Sequence, residues 1–362
     1  MHRQSMIAYC APLEETEIDT PVPTGTQVLV KITHCGVCHS DLHMIDGYFD
    51  MGDDKKLDVT GGRTLPFTLG HEIAGQVVAV GPDAQQVSEE ENGNQNWQGA
   101  SEIGSACAVY PWIGCGDCAM CESGDEHLCQ TTHHLGITVD GGYASHVMVP
   151  HPRYILDISG IERELAGGLM CSGITAYGAL KKAMTYMRGG PLVIVGAGGV
   201  GMMGLQLAKS LWNGPVVVAD IDGEKRDVAL AAGADQVFDP QDKEARKAIF
   251  KSCGAANASI DFVGAESSLH FAQSVLGKGA GVIVVGLLGG KYSTPIPMFA
   301  LRPFSIHGTF VASLPETKEL LDLVRSGKIS PPPVSTRPLD QANQALDDLR
   351  HGRVIGRVVL EV

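Results

Sequence analysis

Four cysteines, Cys115, Cys118, Cys121 and Cys129, stand at the spacing C-x2-C-x2-C-x7-C. Thiolates this close in sequence can close a tetrahedral shell around Zn²⁺. Such a shell leaves no position for a further ligand, and its charge outweighs the metal's by two, so it is a poor Lewis acid. The chemistry it offers is a staple for the surrounding lobe. Iron–sulfur ligation and free thiols are the competing readings. A second set, Cys38, His71 and Cys171, is dispersed. Taken alone, each reads as a buried Cys or a hydrogen-bonded His, and spacing does not bring the three together. Two Cys and one His can nevertheless form an open zinc site, neutral overall, whose fourth position takes water or an oxygen ligand and polarises it. A third feature, Gly196-Ala197-Gly198-Gly199-Val200-Gly201, matches G-x-G-x-x-G. That pattern allows a tight turn and close approach of a pyrophosphate to the N–H groups of a helix N-terminus.

The elements around these residues must position them. The glycine motif follows an apolar run at 192–195 and opens a helical pattern over 200–211, which is the context the motif requires. The next apolar run, 216–219, leads into Asp220, 24 positions after Gly196. A carboxylate there would accept hydrogen bonds from ribose hydroxyls and repel a 2′-phosphate, favouring NAD over NADP. Runs at 260–263 and 282–285 continue the series, and strands alternating with helices imply a parallel sheet covered on both faces.

The first part of the chain has a different texture. Short alternating runs at 27–32, 73–80 and 143–149, separated by Gly and Pro, read as β-structure, and a last strand is predicted over 354–360. The expected fold class is α/β: a β-rich domain of residues 1–151 and 300–362, interrupted by a Rossmann domain of residues 152–299. The charged stretch 50–63 reads as an exposed loop, and the polar stretch 85–100 as a solvated insertion.

Across its 362 residues the chain carries a formal charge of −14, which argues against a surface that tracks nucleic acid or an anionic membrane. The longest uncharged stretch, 189–208, is broken by the glycine cluster, and the first ten residues lack the apolar core of an export signal. Ten cysteines in such a chain point to metal or redox chemistry, and the cytoplasm is the expected compartment.

Taken together, GVCHSDLH at 36–43, GHE at 70–72, the four-cysteine cluster, MCSGITAYGAL at 170–180 and GAGGVG at 196–201 occur in the order and approximate spacing of the zinc-containing medium-chain alcohol dehydrogenases. The chain resembles that family over nearly its whole length. The resemblance implies a GroES-like catalytic domain around the Rossmann domain, NAD as cofactor, and two zinc ions per chain. Cys38, His71 and Cys171 resemble the catalytic zinc ligands, with Glu72 behind them as a transient ligand and Asp41 orienting His71. Ser40 resembles the first proton acceptor, and His43 the group that passes the proton outward by way of the cofactor ribose. His39 and Arg357 match pyrophosphate contacts, Lys225 one near the adenosine ribose, and Thr175, Val200 and Val285 the nicotinamide surroundings, with Gly196, Gly198, Gly199, Gly201 and Asp220 completing the cofactor set. Cys115, Cys118, Cys121 and Cys129 match the structural zinc site. The implied reaction interconverts a small-molecule alcohol and its aldehyde or ketone. Polyol or hydroxymethylglutathione dehydrogenases of the same fold, and a non-catalytic NAD-binding protein, are the alternatives. A homo-oligomer, dimer or tetramer, is implied as well. Three departures stand out: the long connection 48–66 where the substrate cleft should be walled, the stretch 85–106, and the aromatics of Tyr110-Pro111-Trp112.

Overall fold

The computed structural model describes residues 1–84, 101–329 and 332–362; the polar stretch 85–100 lies outside them. A seven-stranded sheet carries the β-rich part. Its order is Ile155–Asp157, Ala106–Val109, Glu72–Val80, Val28–Gly36, Arg357–Glu361, Val334–Pro338, and His146–Val149 also pairs with Val28–Gly36. The C-terminal strand pairs antiparallel with Val28–Gly36, so the chain's end returns to complete the sheet begun near its start.

Between these strands lies a six-stranded, wholly parallel sheet in the order Gln236–Phe238, Val216–Ala219, Leu192–Val195, Ala256–Asp261, Leu276–Val284, Phe304–Gly308. This is the doubly wound order in which ligands bind at the point where strand order reverses, above Leu192–Val195. That strand is buried on both faces. Leu192 and Ile194 join the larger core, shared with the β-rich part, while Val193 and Val195 join a second core under the helices of the other face. The sixth strand lies beyond residue 299, so the parallel sheet extends past the segment read from the sequence as Rossmann. Phe304–Gly308 is short and only partly buried, and its pattern does not stand out from the turns around it.

The charged stretch 50–63 is exposed as expected, but it is not a structureless loop. Tyr48–Asp50 and Lys56–Asp58 pair as a small hairpin, with Gly52, Asp53 and Asp54 in left-handed conformation at its turn. Its tip reaches the Rossmann part: Gly290 donates its N–H to the Asp50 carbonyl at 3.3 Å, and Lys291 pairs with Asp53 at 2.7 Å.

Candidate active site

Strand pairing assembles the dispersed ligands. In the antiparallel pair Val28–Gly36 and Glu72–Val80, Gly36 stands opposite Glu72. Cys38 follows the end of one strand and His71 precedes the start of the other, so the two meet at one edge. Cys38 also caps the helix His39–Asp46. Cys171 comes from a single π-turn, Leu169–Gly173, between the helices Arg163–Gly168 and Ile174–Met184. Such turns displace a side chain from the regular helical ladder and recur at functional sites. One ligand atom from each of Cys38, His71, Glu72 and Cys171 lies within 4.8 Å of the others, and all four residues are buried.

The immediate neighbours hold this cluster. Asp41 Oδ2 accepts the Cys38 N–H at 2.9 Å and the Tyr143 hydroxyl at 2.8 Å, while Oδ1 faces His71 Nδ1 at 3.5 Å. His71 Nε2 is thereby turned toward the sulfurs. Both ring nitrogens of His71 and Glu72 Oε1 are buried without a hydrogen-bond partner, and buried polar groups are rarely left so unless something else satisfies them. Burial opposes protonation of His71, but Asp41 and Cys38 outweigh it and raise its pKa well above the ordinary value. A hydrogen bond from the Cys171 thiol holds Cys38 well below the usual thiol range. Two sulfurs, an imidazole and a carboxylate thus converge in a buried pocket with lone pairs on His71 and Glu72 unmet, and a divalent cation fits them.

The Cys115, Cys118, Cys121 and Cys129 sulfurs make a second tight cluster, with separations of 3.6, 3.6, 3.7 and 3.9 Å. Around one Zn²⁺ with Zn–S of about 2.3 Å a tetrahedron has an edge of roughly 3.8 Å. The sulfurs therefore fit a single tetrahedral ion. An iron–sulfur cluster, which spreads its four thiolates over two or four irons, would hold them farther apart.

Ser40 and His43 lie three positions apart on the helix His39–Asp46, hence on neighbouring turns of one face. Ser40 Oγ is 3.3 Å from Cys38 Sγ, at the rim of the cluster. The His43 ring packs against Phe49, with centroids 4.5 Å apart, so the hairpin 48–58 borders it. Desolvation lowers the pKa of both His39 and His43; the Arg357 and Lys225 charges add to the effect at His39, which puts these three groups near one another.

The glycine turn opens the helix Gly199–Leu211 directly after Leu192–Val195. A Cβ on Gly201 would come within 1.8 Å of the Gly196 carbonyl oxygen, whereas one on Gly198 would meet nothing within 4 Å. The turn is closed against its own strand and open outward, a cradle that a phosphate fits. Asp220 Oδ2 accepts the Ala197 N–H at 2.7 Å and Oδ1 the Asp222 N–H at 2.9 Å, which fixes the carboxylate beside the turn with lone pairs left over. Val200 and Thr175 begin the two helices facing this cleft, and Val285, just past the strand Leu276–Val284, donates its N–H to the Asp261 carbonyl at 2.9 Å. Lys225 lies in the first turn of Gly223–Ala231. Arg357 is buried, forms an ion pair with Glu72, and has its Cδ 2.8 Å from where a Gly199 Cβ would be. One guanidinium therefore ties the cluster to the glycine turn. Burial pushes the Glu72 carboxyl up to about 7, against the downward pull of Arg357.

Of the two aromatics flagged in the sequence, Trp112 faces the cluster. Its indole lies 5.5 Å from the His71 ring, and its N–H donates to the Met170 carbonyl at 2.9 Å. Tyr110 is turned away, its hydroxyl donating to the Ala312 carbonyl. Four residues escaped the sequence reading: Tyr143, His134, Phe310 and Arg226. Tyr143 supports Asp41, His134 and Phe310 pack against Trp112, and Arg226 donates to the Asp220 carbonyl at 2.7 Å. None of them lies in a motif whose spacing predicts a contact.

Residues 24–159 match the family described as alcohol dehydrogenase GroES-like domain, and residues 199–326 the family described as zinc-binding dehydrogenase. A curated relative, the NAD-dependent alcohol dehydrogenase of Sulfurisphaera tokodaii, is 34% identical over 99% of this chain and 99% of its own. The crystal structure of the alcohol dehydrogenase from Aeropyrum pernix is similar over 100% of both chains at 30% identity and a TM-score of 0.85. That of the D-arabinose dehydrogenase from Sulfolobus solfataricus is similar over 96% of each chain at 28% identity and a TM-score of 0.79.

Proposed function

The chain belongs to the zinc-dependent medium-chain alcohol dehydrogenases, enzymes of NAD-dependent alcohol oxidoreduction, and from that premise we propose how its own residues carry the reaction. Cys38, His71 and Cys171 would hold the catalytic zinc, with Glu72 as an alternate ligand. Cys115, Cys118, Cys121 and Cys129 would hold a structural one, making two per chain. The observation that carries this reading is the buried cluster of ligand atoms, with the His71 nitrogens and one Glu72 oxygen left without partners, beside an outward-open glycine turn.

When bound, zinc would polarise the alcohol oxygen and lower its pKa, and NAD would accept the hydride. Everything else falls to the chain. Asp41, itself held by Tyr143, keeps the His71 ring in one orientation. Ser40 takes the proton of the substrate hydroxyl at its Oγ, and His43, on the next turn of the same helix, carries it toward solvent; desolvation keeps that imidazole neutral and able to accept. Trp112 and Phe310 wall the substrate side and exclude water. The glycine turn with His39 and Arg357 receives the pyrophosphate, Asp220 and Lys225 the adenosine ribose, and Thr175, Val200 and Val285 border the nicotinamide.

We assign the residues from 24 to about 159 and the C-terminal strand to the catalytic domain, and those from Leu192 to Gly308 to the coenzyme domain. A homo-oligomer is supported by the exposed Leu287, Leu288, Ile296 and Leu301 in the segment that leads into the edge strand Phe304–Gly308. Among the described residues no helix is long and apolar enough to cross a membrane. The cytoplasm is supported by ten unpaired cysteines.

A sugar or polyol dehydrogenase is the second reading, favoured by the similarity to the D-arabinose enzyme. Elemental analysis, with NAD⁺ reduction on a panel of primary, secondary and polyhydric alcohols, tests both. About two zincs per chain and turnover are expected, and Cys38→Ser should lose one zinc and turnover while still binding NADH. Full activity in Cys38→Ser would sink the ligand assignment.

A further inference from the structure

The hairpin 48–58 takes no part in the mechanism, yet it joins the β-rich part of the molecule to the parallel-sheet part. Its base is fixed on the β-rich side. Val59 donates its N–H to the Gly47 carbonyl at 3.0 Å, and the Tyr9 hydroxyl donates to the Thr60 carbonyl at 2.9 Å. Tyr48 pairs with Asp58 across the two strands, and Lys56 Nζ sits 3.6 Å over the Tyr48 ring. Phe49 packs on His43, so the hairpin also rests on the helix His39–Asp46.

The tip of the hairpin ends on the segment that follows Val285, and that segment is bound to the other half. Val285 and Gly286 donate their N–H groups to the Asp261 carbonyl at 2.9 and 3.0 Å. Leu288 donates to the Val263 carbonyl at 3.2 Å and Gly289 to the Gly264 carbonyl at 3.0 Å. Gly290 then turns its N–H to the Asp50 carbonyl at 3.3 Å, and Lys291 Nζ reaches Asp53 at 2.7 Å. The two backbones meet with no room for side chains between them. A Cβ on Gly289 would lie 2.7 Å from Asp50 Cβ, and one on Gly52 2.8 Å from Lys291 Cβ. The same two glycines have φ of +115° and +73°, a second reason for the absence of a side chain.

Resting on the reading of the cleft as the NAD site, we propose that the hairpin is a latch between the two halves, and that its Asp53–Lys291 pair sets how fast NADH leaves. The segment it grips starts at the carboxyl end of the strand Leu276–Val284, the end of a parallel sheet at which ligands bind. Domains of one chain move relative to one another unless a large apolar interface holds them. Opening for release must break what spans the cleft, and such opening steps limit turnover in many enzymes. Among the described residues the polar contacts of the tip are one backbone hydrogen bond and one ion pair. The side chains of the pair are 61% and 59% exposed, so the pair is weak, yields readily and is screened by salt.

The test measures NADH dissociation from the zinc-replete enzyme by stopped-flow fluorescence, with excess ADP-ribose to prevent rebinding. Asp53 has φ of +52°, a conformation that Asn tolerates as well as Asp, so Asp53→Asn removes the charge without straining the turn. Asp53→Asn and Lys291→Gln should each speed release by about two- to fivefold, the reach of one exposed ion pair. Lys291→Glu sets like charges together and should speed it further, and in the Asp53→Asn background that extra gain should vanish. Lys291→Arg should keep the wild-type rate. At about 1 M salt, where screening acts within ~3 Å, wild type and Asp53→Asn should release NADH at nearly the same rate. One release rate for wild type and every variant at low salt, even with a lowered thermal midpoint, overturns the latch and leaves the dehydrogenase standing. A Lys291→Glu gain that persists without the Asp53 charge does the same. A zinc-replete wild type that binds no NADH would overturn the coenzyme site and the latch together.

Discussion

Replacing Arg357 with Met tests the link between the ligand cluster and the glycine turn. Glu72 is fully buried, one of its oxygens has no partner, and Arg357 supplies its only opposite charge by direct contact among the described residues. Removing one partner of a buried pair leaves an uncompensated charge and costs about 3–5 kcal/mol. The loss should depend on pH. Burial raises the folded-state pKa of Glu72 to about 7, above the ordinary carboxylate value, so its contribution to stability is fully present at low pH and lost as pH rises through that value. Without Arg357 the folded pKa climbs further, while the unfolded one stays put. The deficit of the variant should then grow by up to ~1.4 kcal/mol for each pH unit above neutrality. The assay is urea unfolding at pH 6 and pH 8.5, with zinc removed by chelation so that no cation adds to the charges around Glu72, for wild type, Arg357→Met, Glu72→Gln and the double variant. Arg357→Met should be distinctly less stable at pH 8.5 than at pH 6 relative to wild type. The double variant should recover much of the loss, as the coupling energy of neighbours requires. An Arg357→Met protein within 1 kcal/mol of wild type at both pH values, or a double variant no better than Arg357→Met, would refute the pairing as the source of the effect.

Cys121→Ala should release one zinc per chain and lower the thermal midpoint, with NADH affinity kept, because its sulfur closes the lobe far from the glycine turn; elemental analysis and calorimetry check this. Asp220→Ala removes the acceptor fixed beside the turn and should narrow the preference for NAD over NADP, measured as the ratio of kcat/KM for the two cofactors. An unchanged ratio would show that this carboxylate does not read the ribose. His134 binds its proton less tightly folded than unfolded, so stability present above about pH 6.5 should be lost as pH falls toward about 4, by about 3 kcal/mol in all. His134→Phe should flatten that part of the acid profile in urea unfolding.

The features readable in the sequence were those whose information is local. The cysteines from 115 to 129 share one short lobe, and the glycine turn sits between the strand Leu192–Val195 and its helix, each identified by its own periodicity. Asp220 follows directly from where the second strand must end. Where the local signal was weak, the reading was coarser: the strand Phe304–Gly308 lies beyond the expected coenzyme segment, and a hairpin over residues 48–58 runs into the stretch 50–63 read as a loop.

Tertiary structure alone decided the rest. Cys38, His71 and Cys171 were linked by family resemblance, not by spacing. They meet because Gly36 pairs with Glu72 across an antiparallel register and because a π-turn at Leu169–Gly173 turns Cys171 inward. The choice of Trp112 over Tyr110, the reach of Arg357 from the last strand to both Glu72 and Gly199, and the unpaired nitrogen of His134 have the same origin. Side-chain type and neighbours in the chain set which groups can do chemistry. Which of them share a few ångströms depends on register, crossover and helix packing between segments tens to hundreds of residues apart, and no local periodicity encodes those distances.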